Sequence, residues 1–112
     1  MDIAVAIVVS DPGLRRALLA LVSGWQGFHA IDGLPADVRG VVISTPRDCS
    51  PERCAQLTRA GNRVAILAPV WREHELANYE AAGASGYLPM DFDLLRLSQL
   101  ISEAGTAIAR PA

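Results

Sequence analysis

Three short runs of consecutive apolar residues most constrain the fold of this chain. They are IAVAIVV at residues 3–9, GVVIS at 40–44 and RVAIL at 63–67, each of strand length and rich in β-branched residues. A strand that is apolar at almost every position, rather than at alternate positions, is covered on both faces of its sheet. The three runs therefore predict central strands of a parallel sheet.

A capping side chain followed by proline begins two predicted helices between these strands. Asp11 and Pro12 begin the first, which Gly24 ends, and Ser50 and Pro51 begin another that ends near residue 60. Apolar residues recur at helical spacing on one face of the first helix, at Leu14, Ala17, Leu18, Leu21 and Val22. Both segments are typical of helices that pack against a sheet.

Weaker patterns complete the chain. Strands are predicted at residues 28–31 and 86–88, and a modest helix at 72–82. Asp91 caps a last amphipathic helix, and the segment after residue 104 is typical of a frayed tail. The repeated order of strand and helix predicts an α/β fold, a doubly wound parallel sheet of five strands.

The connection between the second and third strands is unusually short. Its eight residues, DGLPADVR, contain a glycine and a proline, whereas a crossover helix between parallel strands needs a dozen residues or more. We predict that the second helix is shortened or absent. This would leave Ile31, Leu34 and Val38 less sheltered, and exposed apolar area of that kind marks an association surface. The alternative is that the segment folds over the gap as a compact loop.

Composition bounds the function. The 112 residues suit one domain, for which we expect residues 1–107 to form the fold and 108–112 to be a tail or the start of a linker. No apolar run reaches the length of a membrane span and no secretion signal is visible, so we expect a cytoplasmic protein without membrane contact. A net charge of −2 without a basic stripe argues against direct binding to nucleic acid.

The absence of lysine, the spacing of the two cysteines and the single glycine of the first strand-to-helix turn argue against several kinds of catalytic and cofactor site. All ten basic residues are arginine, which excludes Schiff-base chemistry and a phosphate-binding lysine. Cys49 and Cys54 have the spacing of neither a thioredoxin-type pair nor a zinc knuckle, so we expect reduced thiols. With one glycine and no run of hydroxyls, SDPGLRR does not form a phosphate cradle, and we expect no cofactor.

Two motifs carry a resemblance to a known family. The segments VVSDPGLRRAL, at the first strand-to-helix turn, and AAGASGYLPMDFD, around the fifth strand, resemble the receiver domain of two-component response regulators, the domain found in chemotaxis proteins and in many transcription factors. The resemblance covers nearly the whole chain. It implies a flavodoxin-like sheet with strand order 2-1-3-4-5.

The family transfers a phosphoryl group from a histidine kinase to an aspartate at the end of the third strand. An acidic pair holds magnesium, a hydroxyl ends the fourth strand and a lysine ends the fifth. The corresponding positions of this chain are Ser10 and Asp11 for the acidic pair, Thr45 (or Ser44, with the strand shifted by one) for the acceptor, Ala68 for the hydroxyl and Met90 for the lysine. The aromatic switch position of the family is retained as Tyr87.

These replacements predict a degenerate, aspartate-lacking pseudo-receiver that is not an enzyme. One carboxylate gives magnesium a single protein ligand, and a hydroxyl without an adjacent base is a poor nucleophile. Asp11 is interpreted as a helix cap, with a residual metal ligand as the alternative, and Met90 as a packing residue. Thr45 precedes Pro46 and has a kinase target as its alternative role.

Two aromatic residues leave alternatives open. Tyr87 is expected in one fixed orientation, because Ala68 removes the hydroxyl to which the switch is coupled in the family. Trp71 is expected to cover an edge of the core, and its alternative role is part of a ligand or partner surface.

The leading functional hypothesis is signal transduction or transcription regulation through protein–protein contacts, with a partner protein or as a homodimer. By resemblance the contact surface is the face through which receivers commonly dimerise, and its residues here are Glu73, Glu80, Tyr87, Asp93 and Arg96. The alternative is a small-molecule sensor that uses the vacated crevice at the carboxyl ends of the strands.

Overall fold

A computed structural model describes residues 3–35, 39–89 and 94–109, with the side chains of all but Leu94, Leu95 and Ala109. Strands and helices alternate except between the second and third strands. In chain order the elements are β1 (Ile3–Val8), α1 (Pro12–Ser23), β2 (Phe28–Asp32), β3 (Val41–Ser44), α2 (Pro51–Arg59), β4 (Arg63–Ala68), α3 (Glu73–Ala81), β5 (Gly86–Pro89) and α4 (Leu94–Ala109).

The five strands form one parallel sheet in the order β2-β1-β3-β4-β5. Ile7 pairs with Ile43 of β3, Ile43 with Ala65 of β4, and Ala65 with Gly86 of β5. Because all strands run the same way, their carboxyl ends meet at one edge of the sheet. The predicted fold and strand order are confirmed.

The apolar runs of the strands supply two cores, one on each face of the sheet. On the first face Val5, Ile7 and Ile43 pack with Leu97 and Ile101 of α4 and with side chains of α1. On the second face lie Ala6, Val42, Val64 and Ile66, with residues of α2 and α3 such as Cys54 and Tyr79. Alternate residues of each strand thus serve opposite cores, which explains why the runs are apolar at nearly every position.

Two of the three predicted caps are present, and the third, Asp91, lies outside the described residues. The Asp11 side chain accepts a hydrogen bond from the Leu14 N–H at 2.8 Å, and the Ser50 hydroxyl accepts one from the Arg53 N–H at 3.1 Å. In each helix proline follows the cap, where its missing N–H leaves no donor unpaired. Caps of this kind contribute about 1 kcal/mol each to stability.

The connection between β2 and β3 contains no helix in its described residues, 33–35 and 39–40. Ile31 and Leu34 are half-buried, and Leu34 packs against the core of the second face. Val38 lies outside the described residues. Among those that are described, the exposed large apolar side chains are elsewhere, at Val70 and Trp71. The predicted apolar surface beside β2 is therefore not found in this part of the chain.

The last helix is longer than predicted. It continues beyond Ala104, through Gly105, to Ala109, where a frayed tail was expected. A Cβ at Gly105 would lie 3.0 Å from side-chain atoms of Ile3 and Phe28, so this glycine lets α4 approach the sheet, and Ile108 packs against the same core. Packing here outweighs the low helix propensity of glycine. The division of the chain at residue 107 stays a prediction.

Asn62, a buried polar residue, joins β3 to α2 at the amino edge of the sheet. Its Oδ1 accepts a hydrogen bond from the Gly40 N–H at 3.0 Å, and its Nδ2 donates to the Leu57 carbonyl at 3.1 Å. A Cβ at Gly40 would lie 2.3 Å from the Ala4 carbonyl oxygen, so no larger residue fits there. None of the helices in the described residues is both long and apolar enough to span a membrane.

Candidate functional site

A cavity of about 420 Å³ opens at the carboxyl edge of the sheet, beside the loops that follow β1, β3 and β4. We call it the crevice. Three of the predicted site residues, Ser10, Asp11 and Thr45, line it. The remaining lining residues are Val9, Leu14, Arg47, Asp48 and Pro69. Met90 lies outside the described residues.

Ser44 does not line the crevice. It is fully buried, and its hydroxyl donates to the Val8 carbonyl of the neighbouring strand at 2.6 Å. Thr45, the next residue, is also nearly buried but lines the crevice. Of the two acceptor positions that the sequence left open, the structure thus brings Thr45 to the crevice and gives Ser44 a role within the sheet.

Asp48 is a residue of the crevice that sequence reasoning missed. Its carboxylate Oδ2 accepts a hydrogen bond from the Ser10 N–H at 3.0 Å and another from the Thr45 hydroxyl at 2.8 Å. The loop after β3 turns back, with the Asp48 N–H donating to the Thr45 carbonyl at 3.1 Å, and this turn carries the carboxylate into the crevice. Asp48 therefore joins the loops after β1 and β3.

The surroundings of Asp48 favour its charged form. Burial raises the pKa of the Asp48 carboxyl, but hydrogen bonds from Ser10 and Thr45 and the charge of Arg47 outweigh it, so the pKa lies below its ordinary value of 3.8. A carboxylate that accepts hydrogen bonds from main-chain and hydroxyl donors is stabilised as an anion. At neutral pH Asp48 is thus a fixed negative charge in the crevice.

Asp11 also lines the crevice, but its carboxylate accepts its hydrogen bond from a different part of the chain. Its Oδ2 caps α1 through the Leu14 N–H, as the sequence predicted. Ser10 is exposed and contributes its N–H, rather than a carboxylate, to the site. The two carboxylates of the crevice, Asp11 and Asp48, are therefore both hydrogen-bonded to main-chain N–H groups.

The donor set of the crevice does not fit a magnesium site. Two carboxylates line it, each already accepting a hydrogen bond, and the part of the chain that the structure describes contains no cluster of three histidine, cysteine or acidic side chains that could hold a metal ion. Sites of this kind require several oxygen ligands in near-octahedral geometry.

Tyr87 and Ala68 occupy the switch and hydroxyl positions implied by the resemblance. Ala68 is fully buried and places a methyl group at the end of β4. Tyr87 is also buried; its hydroxyl donates to the Glu75 carboxylate and accepts a hydrogen bond from the Arg72 N–H at 3.4 Å. Burial raises the pKa of Tyr87, and the hydrogen bond to Glu75 raises it further.

A second tyrosine, Tyr79 of α3, packs beneath Tyr87. Tyr79 is buried, and its hydroxyl donates to the Cys49 carbonyl at 2.5 Å. Cys49 and Cys54 are buried, and no disulfide joins them. Burial raises the pKa of the Cys49 thiol to about 11 and also raises that of Cys54.

The contact residues that the resemblance implies are only partly on the surface. Glu73 and Glu80 of α3 and Arg96 of α4 are exposed, whereas Tyr87 is buried and Asp93 lies outside the described residues. Trp71 was expected to cover the core but is 50% exposed, because the loop after β4 carries it outward. Trp25, by contrast, packs against the first-face core and meets Phe28 edge to face.

Solved structures share this architecture. A LuxR-family two-component response regulator from Aurantimonas sp. SI85-9A1 matches with a TM-score of 0.81 over 96% of this chain and 87% of that chain, at 16% identity. The chain has the receiver fold. A response regulator receiver protein from Pseudoalteromonas atlantica matches with a TM-score of 0.74 over 93% of this chain and 98% of that chain, at 15% identity.

A third matched structure is likewise similar in fold but low in sequence identity. A LuxR-family DNA-binding response regulator from Silicibacter pomeroyi matches with a TM-score of 0.68 over 90% of this chain and 93% of that chain, at 22% identity. No protein-family model and no curated protein sequence matches the chain. Within the receiver fold, the crevice lies at the carboxyl edge, where the resemblance implies phosphoryl transfer for the family.

Proposed function

We propose that this chain is an atypical receiver-like domain that acts in signal transduction or transcription regulation through protein–protein contacts, without accepting a phosphoryl group. The observation that carries the proposal is the hydrogen bond from the Thr45 hydroxyl to Asp48. At the acceptor position that the resemblance implies, the chain offers the nearly buried hydroxyl of Thr45, which already donates a hydrogen bond to a neighbour.

Electrostatics support the absence of phosphoryl transfer. The family's route needs a divalent cation, a nucleophilic carboxylate and cationic or hydroxyl groups that hold the transferred oxygens. Here the end of β4 carries the Ala68 methyl group, and the crevice carboxylates Asp11 and Asp48 are hydrogen-bonded within the molecule. Removing one stabilising hydrogen-bond donor from a site of this kind raises the barrier of the reaction by about 3 kcal/mol.

Acetyl phosphate with magnesium, followed by intact mass spectrometry, tests this part of the proposal. We expect no gain of a phosphoryl group by the full chain. The Asp48→Asn variant is the matched control, because Asp48 is the described carboxylate that lies nearest in sequence to Thr45. A phosphorylated species that disappears in this variant would make Asp48 the acceptor and would contradict the proposal.

The face of α3, β5 and α4 is the proposed contact surface, for a partner protein or a second copy of the chain. It presents the exposed charges of Glu73, Glu80 and Arg96, and two matched structures are response regulators of the LuxR family. Sedimentation of the Arg96→Glu variant is expected to show weaker association than the unchanged chain. Arg16→Glu, an exposed arginine on α1, is the control. Equal association of both variants and the unchanged chain would contradict this surface.

Small-molecule sensing is the second candidate, favoured by the size and lining of the crevice. Its volume of about 420 Å³ lies within the range of ligand pockets, and Val9, Leu14 and Pro69 give it an apolar lining beside its charged groups. A ligand of the folded state raises the melting temperature as its concentration rises above its dissociation constant. A thermal-shift screen of metabolites in which Leu14→Trp abolishes a hit would favour sensing, and a screen without hits would argue against it.

A further inference from the structure

Val70 and Trp71 form an exposed apolar pair in the loop between β4 and α3. Val70 is 59% exposed and Trp71 is 50% exposed, and they are the exposed large apolar side chains among the described residues. Tryptophan is enriched at the centres of protein interfaces, because one side chain buries a large apolar area. A tryptophan held outward beside a concave surface is therefore a candidate anchor for a partner.

A groove lies directly beside this pair. It has a volume of about 210 Å³ and is lined by Pro46, Arg47, Pro69, Val70, Arg72 and Glu75. Arg47 and Pro69 also line the crevice, so the two depressions adjoin along the carboxyl edge of the sheet. We call the smaller one, together with Trp71, the edge groove. Together the two depressions provide a path for an extended segment of chain.

The acidic and basic side chains in and beside the edge groove differ in whether they have a partner within the molecule. The Glu75 carboxylate accepts a hydrogen bond from the Tyr87 hydroxyl, and Asp48, beside Arg47, accepts hydrogen bonds from Ser10 and Thr45. Arg47 and Arg72 are exposed, and no salt bridge to either is present within residues 3–35, 39–89 and 94–109. Both acids thus accept hydrogen bonds within the molecule. The two exposed guanidinium groups can still pair with an incoming anion, and Arg47 also acts on Asp48 through its charge.

The loop that carries the groove is fixed from inside the molecule. The Tyr87 hydroxyl accepts a hydrogen bond from the Arg72 N–H, and the Tyr87 ring stacks on Tyr79 with centroids 5.8 Å apart. Binding to a preformed surface avoids the entropy cost of ordering it. The buried tyrosine therefore favours a groove that is already in its binding shape.

We propose that the edge groove binds an acidic, extended segment of a partner protein. An apolar side chain of the segment packs on Val70 and Trp71, and its carboxylates pair with Arg47 and Arg72. A second copy of this chain is the poorer occupant, because a two-fold interface centred on Trp71 would place each arginine pair against its own copy. The edge groove meets the contact face at the start of α3, where Glu75 lines the groove, but Arg47 and Trp71 lie in loops outside α3, β5 and α4. The Arg47→Glu/Arg72→Glu and Arg96→Glu variants therefore test the two surfaces separately.

Selection of a random 12-residue phage-displayed peptide library on the full chain tests the inference. We expect enrichment of peptides in which acidic residues flank an aromatic or large aliphatic residue. The Arg47→Glu/Arg72→Glu double variant is expected to bind the selected peptides about tenfold more weakly or worse, and Trp71→Ala at least tenfold more weakly. Affinity is expected to fall as salt is raised, since exposed charge pairs are screened.

Matched controls separate loss of the groove from loss of the fold. Arg16→Glu reverses an exposed arginine on α1, outside both proposed surfaces, and is expected to keep the peptide affinity. All variants are checked by thermal melting, and a selected peptide is mapped by nuclear magnetic resonance shifts. Enrichment without acidic residues, binding that Arg47→Glu/Arg72→Glu does not weaken, or a dimer that Trp71→Ala dissociates would each overturn the inference.

Discussion

The rings of Tyr79 and Tyr87 lie stacked, with centroids 5.8 Å apart and planes 27° from parallel. Their hydroxyls serve different parts of the carboxyl edge. Tyr79 donates to the Cys49 carbonyl in the loop after β3, whereas Tyr87 bonds Glu75 and the Arg72 N–H at the start of α3. This pair of rings therefore links the two loops that border the crevice and the edge groove.

Removal of the Tyr79 hydroxyl is expected to destabilise the fold more than removal of the Tyr87 hydroxyl. Tyr79→Phe leaves the Cys49 carbonyl without this donor in a buried environment, at a cost of about 1–3 kcal/mol. Tyr87→Phe keeps the ring stack. The groups that lose the Tyr87 hydroxyl are the N–H of the exposed Arg72 and the carboxylate of the half-buried Glu75, and water can reach both. Urea denaturation of both variants measures the difference. A larger loss for Tyr87→Phe would contradict the importance given to the buried hydrogen bond.

Asp48 is expected to stabilise the fold in a pH-dependent way. Its folded-state pKa is lowered, so its contribution is present above the ordinary value of 3.8 and is lost as the pH falls through the folded value. Asp48→Ala removes the acceptor of two hydrogen bonds and is expected to cost about 1–3 kcal/mol at neutral pH.

The pH profile of this cost provides the check. Melting temperatures of the unchanged chain and of Asp48→Ala are expected to begin to converge only as the pH falls below 3.8. Asp11→Ala, which removes a helix cap, is the comparison and is expected to cost about 1 kcal/mol. A difference in melting temperature between Asp48→Ala and the unchanged chain that stays constant down to acid pH would show that the charge of Asp48 does not contribute to stability.

The two thiols are expected to react slowly while the chain is folded. At a pKa of about 11, the Cys49 thiolate is about a hundredfold rarer at pH 8 than at the ordinary value of 9.0, and burial slows access further. Titration with a thiol reagent should therefore show delayed reaction that becomes rapid in urea. Rapid native modification of both cysteines would contradict the burial of these side chains.

The same thiol links stability to alkaline pH. Burial favours the neutral form of Cys49, so its contribution to stability is complete below pH 9.0 and decreases between pH 9.0 and about 11. Cys49→Ala is expected to remove part of this alkaline loss. Unfolding free energies measured across that range test the sign.

Gly40 is expected to tolerate no side chain. In Gly40→Ala the new Cβ would lie 2.3 Å from the Ala4 carbonyl oxygen, so β1 or β3 must shift, at a cost of about 1–3 kcal/mol. Gly13→Ala is the matched control, because its Cβ would meet the Asp11 carboxylate at an ordinary 3.5 Å in the exposed first turn of α1. Chemical denaturation should show a loss for Gly40→Ala and no loss for Gly13→Ala.

Local chemistry made most of the fold predictable from sequence. Continuous β-branched runs identify strands that are buried on both faces, and Asp11–Pro12 and Ser50–Pro51 mark helix starts through their own side chains. The predicted end of α4 was wrong because Gly105, in the segment expected to fray, is instead a point of close packing against Ile3 and Phe28. That packing depends on residues far away in the chain.

The candidate site was less predictable because its chemistry depends on loop conformation. Asp48 follows Pro46 and Arg47 in a turn, and no periodicity shows that its carboxylate reaches the Ser10 N–H, 38 residues away. A turn-forming aspartate three residues after Thr45 is the one local signal that could have indicated it. The exposure of Trp71 also follows from the path of a loop, which the apolar character of tryptophan does not specify.

The hydrogen bonds of the buried Asn62 side chain bear on which parts of the sequence can vary. Its hydrogen bonds to Gly40 and Leu57 join strand and helix at the rim opposite the crevice. Substitutions in the loops of the carboxyl rim can therefore leave this anchorage intact, so that one rim of the sheet can vary while the other stays joined to its helix.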